Sequence, residues 1–405
     1  MSTFITMAFR NLGRNRRRTF FSALALTLSV ALLMFIVAFF NGETRTSMES
    51  TLRLDSGHIQ IRDADYDPDK FSVAWDYLID NPEQVAAQVA SLDQVQVATP
   101  RLIASGIVSV KDDITGVQVM GIDPDSTAND PYREGLVSGE FLTADDRDGI
   151  LIGYPLAESM GLKIGDQLNL LVNTSEGNVD EQQFTVRGIF TTGSTNYDKG
   201  LVFLPLAKLQ AFSGAGDRAS LIFVLLHNRD QADAVAAALK SPNYQVKTWL
   251  ELNSLLVLIE DYSNIIISAL NVIVLGVTVT VIINTLLMSV FERTREIGIL
   301  SAIGMKGRQI TGLFLLEAAI LAIGGIVVGL LIGWGLVAYF GQVGIYFGDL
   351  GVSGMLLGDR IYAFITTQDV INLTVLSFVI TIIASLYPAR MASRMEPVEA
   401  LHSAQ

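Results

Sequence analysis

The chain is 405 residues long, half of them hydrophobic and only 17% charged, with a net charge of −13 and no cysteine. So apolar a composition belongs to a membrane protein rather than a soluble domain, and the negative balance argues against nucleic acid as a partner, since phosphate binding needs a basic surface. Disulfides and thiolate metal sites are excluded, and His58, His227 and His402, far apart in sequence, do not make a metal site.

In chain order, residues 1–19 form an N-terminal segment with Arg10, Arg14, Arg16, Arg17 and Arg18 and no acid. Residues 20–40 follow without a charge, enough helix to cross a hydrocarbon core of about 30 Å. This run is too long for a signal peptide, and "AFFNGE" offers no small-residue cleavage site, so the helix is expected to be retained. Asp261 and Glu292 bracket the second apolar stretch, which as helix would reach about 45 Å at 1.5 Å per residue. It exceeds the hydrocarbon, so residues 265–291 are expected to span and the excess to project as a stalk. Spans three and four are expected at 309–340 and 370–389.

Lysine and arginine placement sets the orientation. The basic N-terminal segment, the 292–308 loop with Arg293, Arg295, Lys306 and Arg308, and the 390–405 tail with Arg390 and Arg394 belong in the cytoplasm. The 341–369 connection holds Arg360 against Asp349, Asp359 and Asp369, and is expected outside.

Residues 41–264 would then be extracytoplasmic: 33 acids against 16 bases, enough chain for its own core and for two subdomains. "GHIQIRD", "SGIVSV" and "GVQVMGI" alternate as strands do, and residues 219–249 read strand, helix, strand. Residues 161–190 read as a hairpin with its loop at Asn173–Gln182. The fold class expected is an α-helical membrane protein with four transmembrane helices, one before and three after a large α+β extracytoplasmic domain. Asp63, Asp65, Asp67 and Asp69 lack the glycine and glutamate of a calcium loop and read as a solvated acidic loop.

No G-x-x-x-x-G-K-[ST], G-x-S-x-G or H-E-x-x-H occurs, so no catalytic residue is assigned and the chain is expected to be non-enzymatic. The compact, mixed-charge 292–308 loop draws attention instead. Ile297, Leu300 and Ile303 or Gly304 stripe one helical face, with Arg293, Arg295 and Glu296 at its start. Physics alone leaves two readings, an interfacial helix on the membrane or a docking helix for a cytoplasmic partner; Gly298 and Gly304 favour docking, because they weaken a lipid-bound helix. Glu317, two turns into the third span, is the one buried charge expected there, and a structural role by snorkelling or hydrogen bonding is assigned to it. Gly325, Gly329 and Gly333 form a small-residue ridge for helix packing, either within the chain or between subunits.

"FERTREIGILSAIGMKGRQI" (Phe291–Ile310) and "LYPARMASRMEPVEALH" (Leu386–His402) resemble the cytoplasmic and C-terminal signatures of FtsX/LolC/MacB-type ABC transporter permeases. Asn41, Gly42 and Glu43 after the first span match as well. The resemblance covers essentially the whole chain and is LolC/LolE-like. It implies a MacB-like periplasmic core within 41–264, an FtsX-like permease domain at 265–400, and a multi-pass protein of the plasma (inner) membrane with both termini cytoplasmic. It also implies a separate ABC ATPase subunit that holds ATP and Mg, with no cofactor on this chain. The 292–308 loop would be the coupling helix, contacting that ATPase through Glu292, Arg293, Arg295, Glu296, Gly298, Ile299, Leu300, Ala302, Gly304 and Met305. The implied mechanism is mechanotransmission: nucleotide-driven motion passes outward along the helices, and substrate need not cross the bilayer.

The same resemblance implies a partner permease, a second copy or a sister chain, and a lipoprotein or lipid as cargo. Lipid chains would touch the outer ends of spans one and two, at Met34, Phe35, Ala38, Phe39, Ile265, Ile266 and Leu270, where ordinary packing is an equal reading. In the LolC branch a long hairpin docks a periplasmic carrier; the matching Asn173–Gln182 stretch here is short. Peptide or drug export with an ATPase partner, an FtsX-like module controlling a cell-wall hydrolase, and a sensor without an ATPase are the alternatives.

Overall fold

The computed structural model describes residues 2–14, 16–67, 73–346 and 360–395. Asp69 of the acidic loop, 347–359 of the outer connection and 396–405, with Glu396–His402 of the C-terminal signature, lie outside the described residues. The chain divides into two compact units: residues 1–43, 260–345 and 362–405 in one, 44–259 and 346–361 in the other.

Helices dominate the first unit: α1 (Ser2–Arg14), α2 (Arg16–Thr51), α3 (Ser254–Glu292), α4 (Thr294–Ala302), α5 (Gly307–Val343) and α6 (Thr367–Ser393). Of these, α2, α3, α5 and α6 carry stretches long and apolar enough to cross a membrane. Each outruns the apolar run from which it was inferred, because polar end residues such as Glu43–Thr51 continue a helix as readily as they stop one. The start of α6 is fixed by a capping box, in which Thr366 Oγ1 accepts from the Asp369 amide and Asp369 accepts from the Thr366 amide at 3.1 Å. Asn41 donates to the same Asp369 carboxylate at 2.9 Å. A Cβ on Gly42 would run into the Tyr362 carbonyl, so this glycine lets the 362–363 backbone close on α2.

The helices are tied together by small polar groups inside apolar surroundings. Ser22 donates to Thr285 at 2.7 Å and Thr278 to Ser29 at 2.6 Å, pinning α2 to α3 at two levels. Thr27 donates to the Gly325 carbonyl at 3.1 Å, pinning α2 to α5. Hydroxyls serve this purpose because they can satisfy themselves within the bundle without a formal charge.

The second unit is built on ten strands: β1 (Ile59–Asp63), β2 (Val95–Val110), β3 (Asp113–Ile122), β4 (Leu136–Gly139), β5 (Gly149–Gly153), β6 (Gln167–Asn173), β7 (Val179–Phe190), β8 (Leu201–Pro205), β9 (Leu221–Leu226) and β10 (Tyr244–Thr248). The long strand β2 is shared between two parts. Its first half pairs with β9, which continues through β1 to β10 as an antiparallel sheet. Its second half pairs with β6 on one side and β3 on the other, and the succession β2–β3–β8–β5–β7–β6 returns to β2 as a closed barrel. Gly106 sits where β2 serves both neighbours; a Cβ there would stand 2.9 Å from the Leu171 carbonyl.

Each part has its own core. In the sheet, Ile59, Ile61, Ile222 and Val224 pack with Ala86 and Val89 of the helix Pro82–Ala90 and Val235 of the helix Ala232–Leu239. In the barrel, Leu102, Val119, Ile150, Leu168, Phe184 and Val202 fill the interior. The hairpin differs from the sequence expectation. Pairing runs from Gln167↔Thr185 to Asn173↔Val179, so residues 179–182 belong to β7 and the turn is confined to 174–178. Gly177 at φ +80° closes it, and Ser175 anchors it through its amide on the Ser213 carbonyl at 2.8 Å.

Candidate functional site

The 292–308 loop folds as the short helix α4 between α3 and α5. Its end is a Schellman cap: the Gly304 amide donates to Ser301 O and the Met305 amide to Leu300 O, both at 3.0 Å. Gly304 adopts φ +99°, so glycine is required for its backbone, not merely tolerated. The cap stops the helix at Ala302; Ile303 keeps a helical φ and its amide bond to Ile299 O at 3.0 Å, but six residues on from Ile297 it lies about 120° around the helix from that face. Ile303 is 80% exposed, whereas Ile297 is buried against Val290, Ile310, Phe314, Ala389 and Ala392.

The expected contact residues therefore divide. Glu292, Arg295, Ile299, Ala302 and Gly304 are exposed, and Glu296, Leu300 and Met305 are half-buried. Arg293 and Gly298 are buried, and for these two the expectation of a partner-facing side is corrected. Arg293 turns inward because Glu317 awaits it: Arg293 Nη1 lies 3.0 Å from Glu317 Oε1 and 3.3 Å from Oε2. Asn11 of α1 donates to Glu317 at 2.6 Å, and Arg293 Nε donates to Glu296 at 3.2 Å. Arg14 completes the chain of contacts at 2.5 Å from the other Glu296 oxygen.

Glu317 does not snorkel; it is the buried counter-charge that holds α4 on α5. A buried pair of this kind adds little net stability, but losing one partner leaves a stranded charge. For Glu296, burial on its own would raise the carboxyl pKa; the hydrogen bonds from Arg14 and Arg293 outweigh it and hold the group below its ordinary value. Sequence reasoning missed α1 as a participant. The signal was present in the placement of Ala8, Asn11 and Leu12 opposite Arg10 and Arg14, an amphipathic pattern in the segment read only for its charge.

The glycine ridge of α5 is filled from within the chain. Cβ atoms on Gly325, Gly329 and Gly333 would stand 2.9 Å from Leu26, 2.8 Å from Thr27 O and Val30, and 2.7 Å from Met34 Sδ, so α2 lies directly on the ridge. This bears on the expected lipid contacts. Met34 and Ala38 are fully buried, Met34 against Gly333 and Ala38 with its carbonyl accepting from the Phe364 amide at 2.8 Å, which is the ordinary-packing reading of these two. Phe35 and Phe39 are half-buried, Phe35 with its ring 5.3 Å from that of Phe340. Leu270 is half-buried too, while Ile265 and Ile266 of α3 are exposed.

Comparison with known proteins bears on both units. A family model described as MacB-like periplasmic core domain matches residues 19–241, and one described as FtsX-like permease C-terminal matches residues 268–397. The lipoprotein-releasing system transmembrane protein LolC of Neisseria meningitidis is 26% identical over 330 residues, 75% of this chain and 77% of that protein. An uncharacterized ABC transporter permease of Methanocaldococcus jannaschii is 22% identical over 98% of this chain and 97% of its own length. The macrolide export ATP-binding/permease protein MacB of a Shewanella species is 23% identical over 98% of this chain, which spans 60% of that longer protein.

Proposed function

The chain belongs to the FtsX/LolC-LolE/MacB family of ABC transporter permeases, and on that premise we propose that it is the membrane subunit through which a separate ATPase subunit drives extraction or release of a lipoprotein or lipid. In this reading α2, α3, α5 and α6 cross the inner membrane, both termini and α4 face the cytoplasm, and residues 44–259 work outside it. ATP and Mg are held by the ATPase subunit, and a second permease, identical or sister, completes the assembly.

The observation that carries the reading is the division of α4 into two faces. One is fixed: Arg293, Ile297 and Gly298 are buried, with Arg293 on Glu317. The other is a free tip of Ile299, Ala302 and Ile303, rimmed by Glu292, Arg295 and Arg308. A knob that must be pushed needs a stiff root and an apolar end small enough to enter a groove, and interface centres of that kind are apolar with a charged rim. A helix merely resting on lipid would need a longer apolar face than one turn. Lipoprotein release is supported by the LolC likeness; export of a macrolide or peptide is the second reading, supported by the MacB likeness over nearly the whole chain.

The test is purification in mild detergent followed by mass spectrometry of what accompanies the chain. An ABC ATPase is expected with the wild type and lost from Ile299→Asp/Ile303→Asp, while the thermal midpoint of the chain itself stays within a degree or two, as exposed substitutions change stability by about 0.5 kcal/mol or less. Because the chain has no cysteine, Ala302→Cys creates a single thiol whose labelling from the cytoplasmic side checks the orientation. A co-purifying lipidated protein supports release; ATP-dependent efflux of a small molecule without one supports export.

A further inference from the structure

A second polar knot lies in the strand-built unit, at the end of α2. After Thr51 the backbone widens into a π-helical turn, Leu52–Ser56, whose Leu52, Leu54 and Ser56 are all buried. Any helix end leaves carbonyls without an amide partner and carries partial negative charge, and burying it demands donors. The Leu54 carbonyl accepts from Arg101 Nη1 at 2.9 Å and from the Tyr132 hydroxyl at 2.8 Å, and the Tyr197 hydroxyl stands 3.4 Å away, behind that of Tyr132.

The three donors come from separate segments rooted in the barrel. Arg101 stands on β2 at the residue that pairs with both β9 (Leu221) and β3 (Ile122). Tyr132, in the short helix Asp130–Glu134, packs its ring 4.5 Å from Phe203 of β8 and 5.7 Å from Phe190 of β7. Tyr197 comes from the helix Thr195–Lys199, and its hydroxyl lies 2.9 Å from that of Tyr132. Burial pushes Tyr132 up to about 12 and Tyr197 well above its ordinary value, so both remain protonated donors. Arg101 is 1% exposed; its guanidinium stacks 3.7 Å from the Phe223 ring centre, while Nε and Nη2 have no hydrogen-bond partner among the described residues. Just past the turn, Gly57 at φ +65° brings the backbone so close to β9 that a Cβ would stand 2.9 Å from the Val224 carbonyl.

Stability alone does not explain this arrangement. A straight α-helical end would need no widened turn. What a network of three side chains converging on one carbonyl provides is a joint with a single geometry.

We propose that Arg101, Tyr132 and Tyr197 are positioning residues that clamp the π-turn to the barrel, so that displacement of α2 is delivered to the barrel without slip. This rests on the function proposed above and names the joint that function would need.

The experiment uses the whole complex with its ATPase subunit and pairs of spin labels on the cysteine-free chain. Glu49→Cys with Val179→Cys reads the joint; Val179→Cys with Ile265→Cys reads motion of the barrel against α3. In the otherwise wild-type complex the first distance is expected to be narrow with or without ATP and Mg, and the second to shift when they bind. Tyr132→Phe/Tyr197→Phe removes two donors without leaving a cavity. It is expected to broaden the first distribution and abolish the shift in the second, while ATP turnover persists. Tyr197→Phe alone, which removes only the outer hydroxyl of the network, gives a smaller broadening and serves if the double variant fails to fold. Variants that keep both the narrow distribution and the shift overturn the clamp. A wild-type complex whose second distance ignores ATP defeats the proposed function instead; if the first distribution still broadens in the variant, the joint is structural only, and the proposal falls on that result.

Discussion

Among the described residues, two arginines lie almost wholly out of solvent, Arg293 at the root of α4 and Arg101 on β2, and they are accommodated by different means. Arg293 faces a full carboxylate, Glu317, with Glu296 beside it. Arg101 hydrogen-bonds a carbonyl at a helix end and stacks on the face of Phe223, with the charge of Asp55 acting on it from the same turn. The contrast is one of contact. Arg293 is hydrogen-bonded directly to its opposite formal charge. Arg101 instead bonds the partial charge of a helix terminus and an aromatic quadrupole, with its carboxylate at longer range.

The sharpest way to break this contrast is to remove one member of the ionic pair. Glu317→Leu strands Arg293 and is expected to lower stability by about 3–5 kcal/mol, read from thermal unfolding in detergent. Adding Arg293→Met should recover most of that loss; if it does not, Glu317 has a role beyond the pair. Arg101→Met should cost less, about 1.5–3 kcal/mol for one charge-assisted hydrogen bond, because the tyrosines still serve the carbonyl. Equal losses at the two sites would erase the distinction.

A smaller effect separates shape from charge at α4. Gly304→Ala places a Cβ on a backbone at φ +99°, with a cost of about 1–3 kcal/mol confined to the cap, and should reduce ATPase recovery more than overall stability. Hydrogen exchange across Thr294–Ala302 checks it. The smallest effect is the pH response of the Arg14–Glu296 contact. The folded carboxyl titrates below its ordinary value of 4.5, so its contribution is present above that pH and fades as pH falls through the lowered value. Faster exchange of α4 is therefore expected only below about pH 4.5, and Glu296→Gln should remove the dependence; loosening near neutrality would mean that another group controls the helix.

Much of the architecture could be read from residue order alone. The apolar stretches locate the long helices, because nothing else in a chain this size produces uncharged runs of twenty or more. Alternation marks the strands around Ile59, Ile107 and Val117. What could not be read depends on partners distant in sequence. Arg293 looks like an ordinary solvent-facing helix start until Glu317 is placed beside it. Met34 and Ala38 leave lipid contact and ordinary packing equal until Gly333 and Phe364 are brought against α2. The expected run of Ile297, Leu300 and Ile303 failed for a geometric reason, since six residues at about 100° each carry Ile303 well round the helix from Ile297. Barrel closure rests on β2 meeting β6, a pairing between residues sixty or more positions apart that alternation cannot announce.

The glycine ridge on α5 has an implication for stoichiometry. Its three notches are already occupied by the chain's own Leu26, Val30 and Met34. Whatever second permease joins this one must approach along a different flank, and bulky replacements at Gly325, Gly329 or Gly333 would unseat a helix of the same molecule before they could disturb a neighbour. A mutational scan along that seam would report on how one monomer is assembled, and a search for the contact between subunits should begin elsewhere.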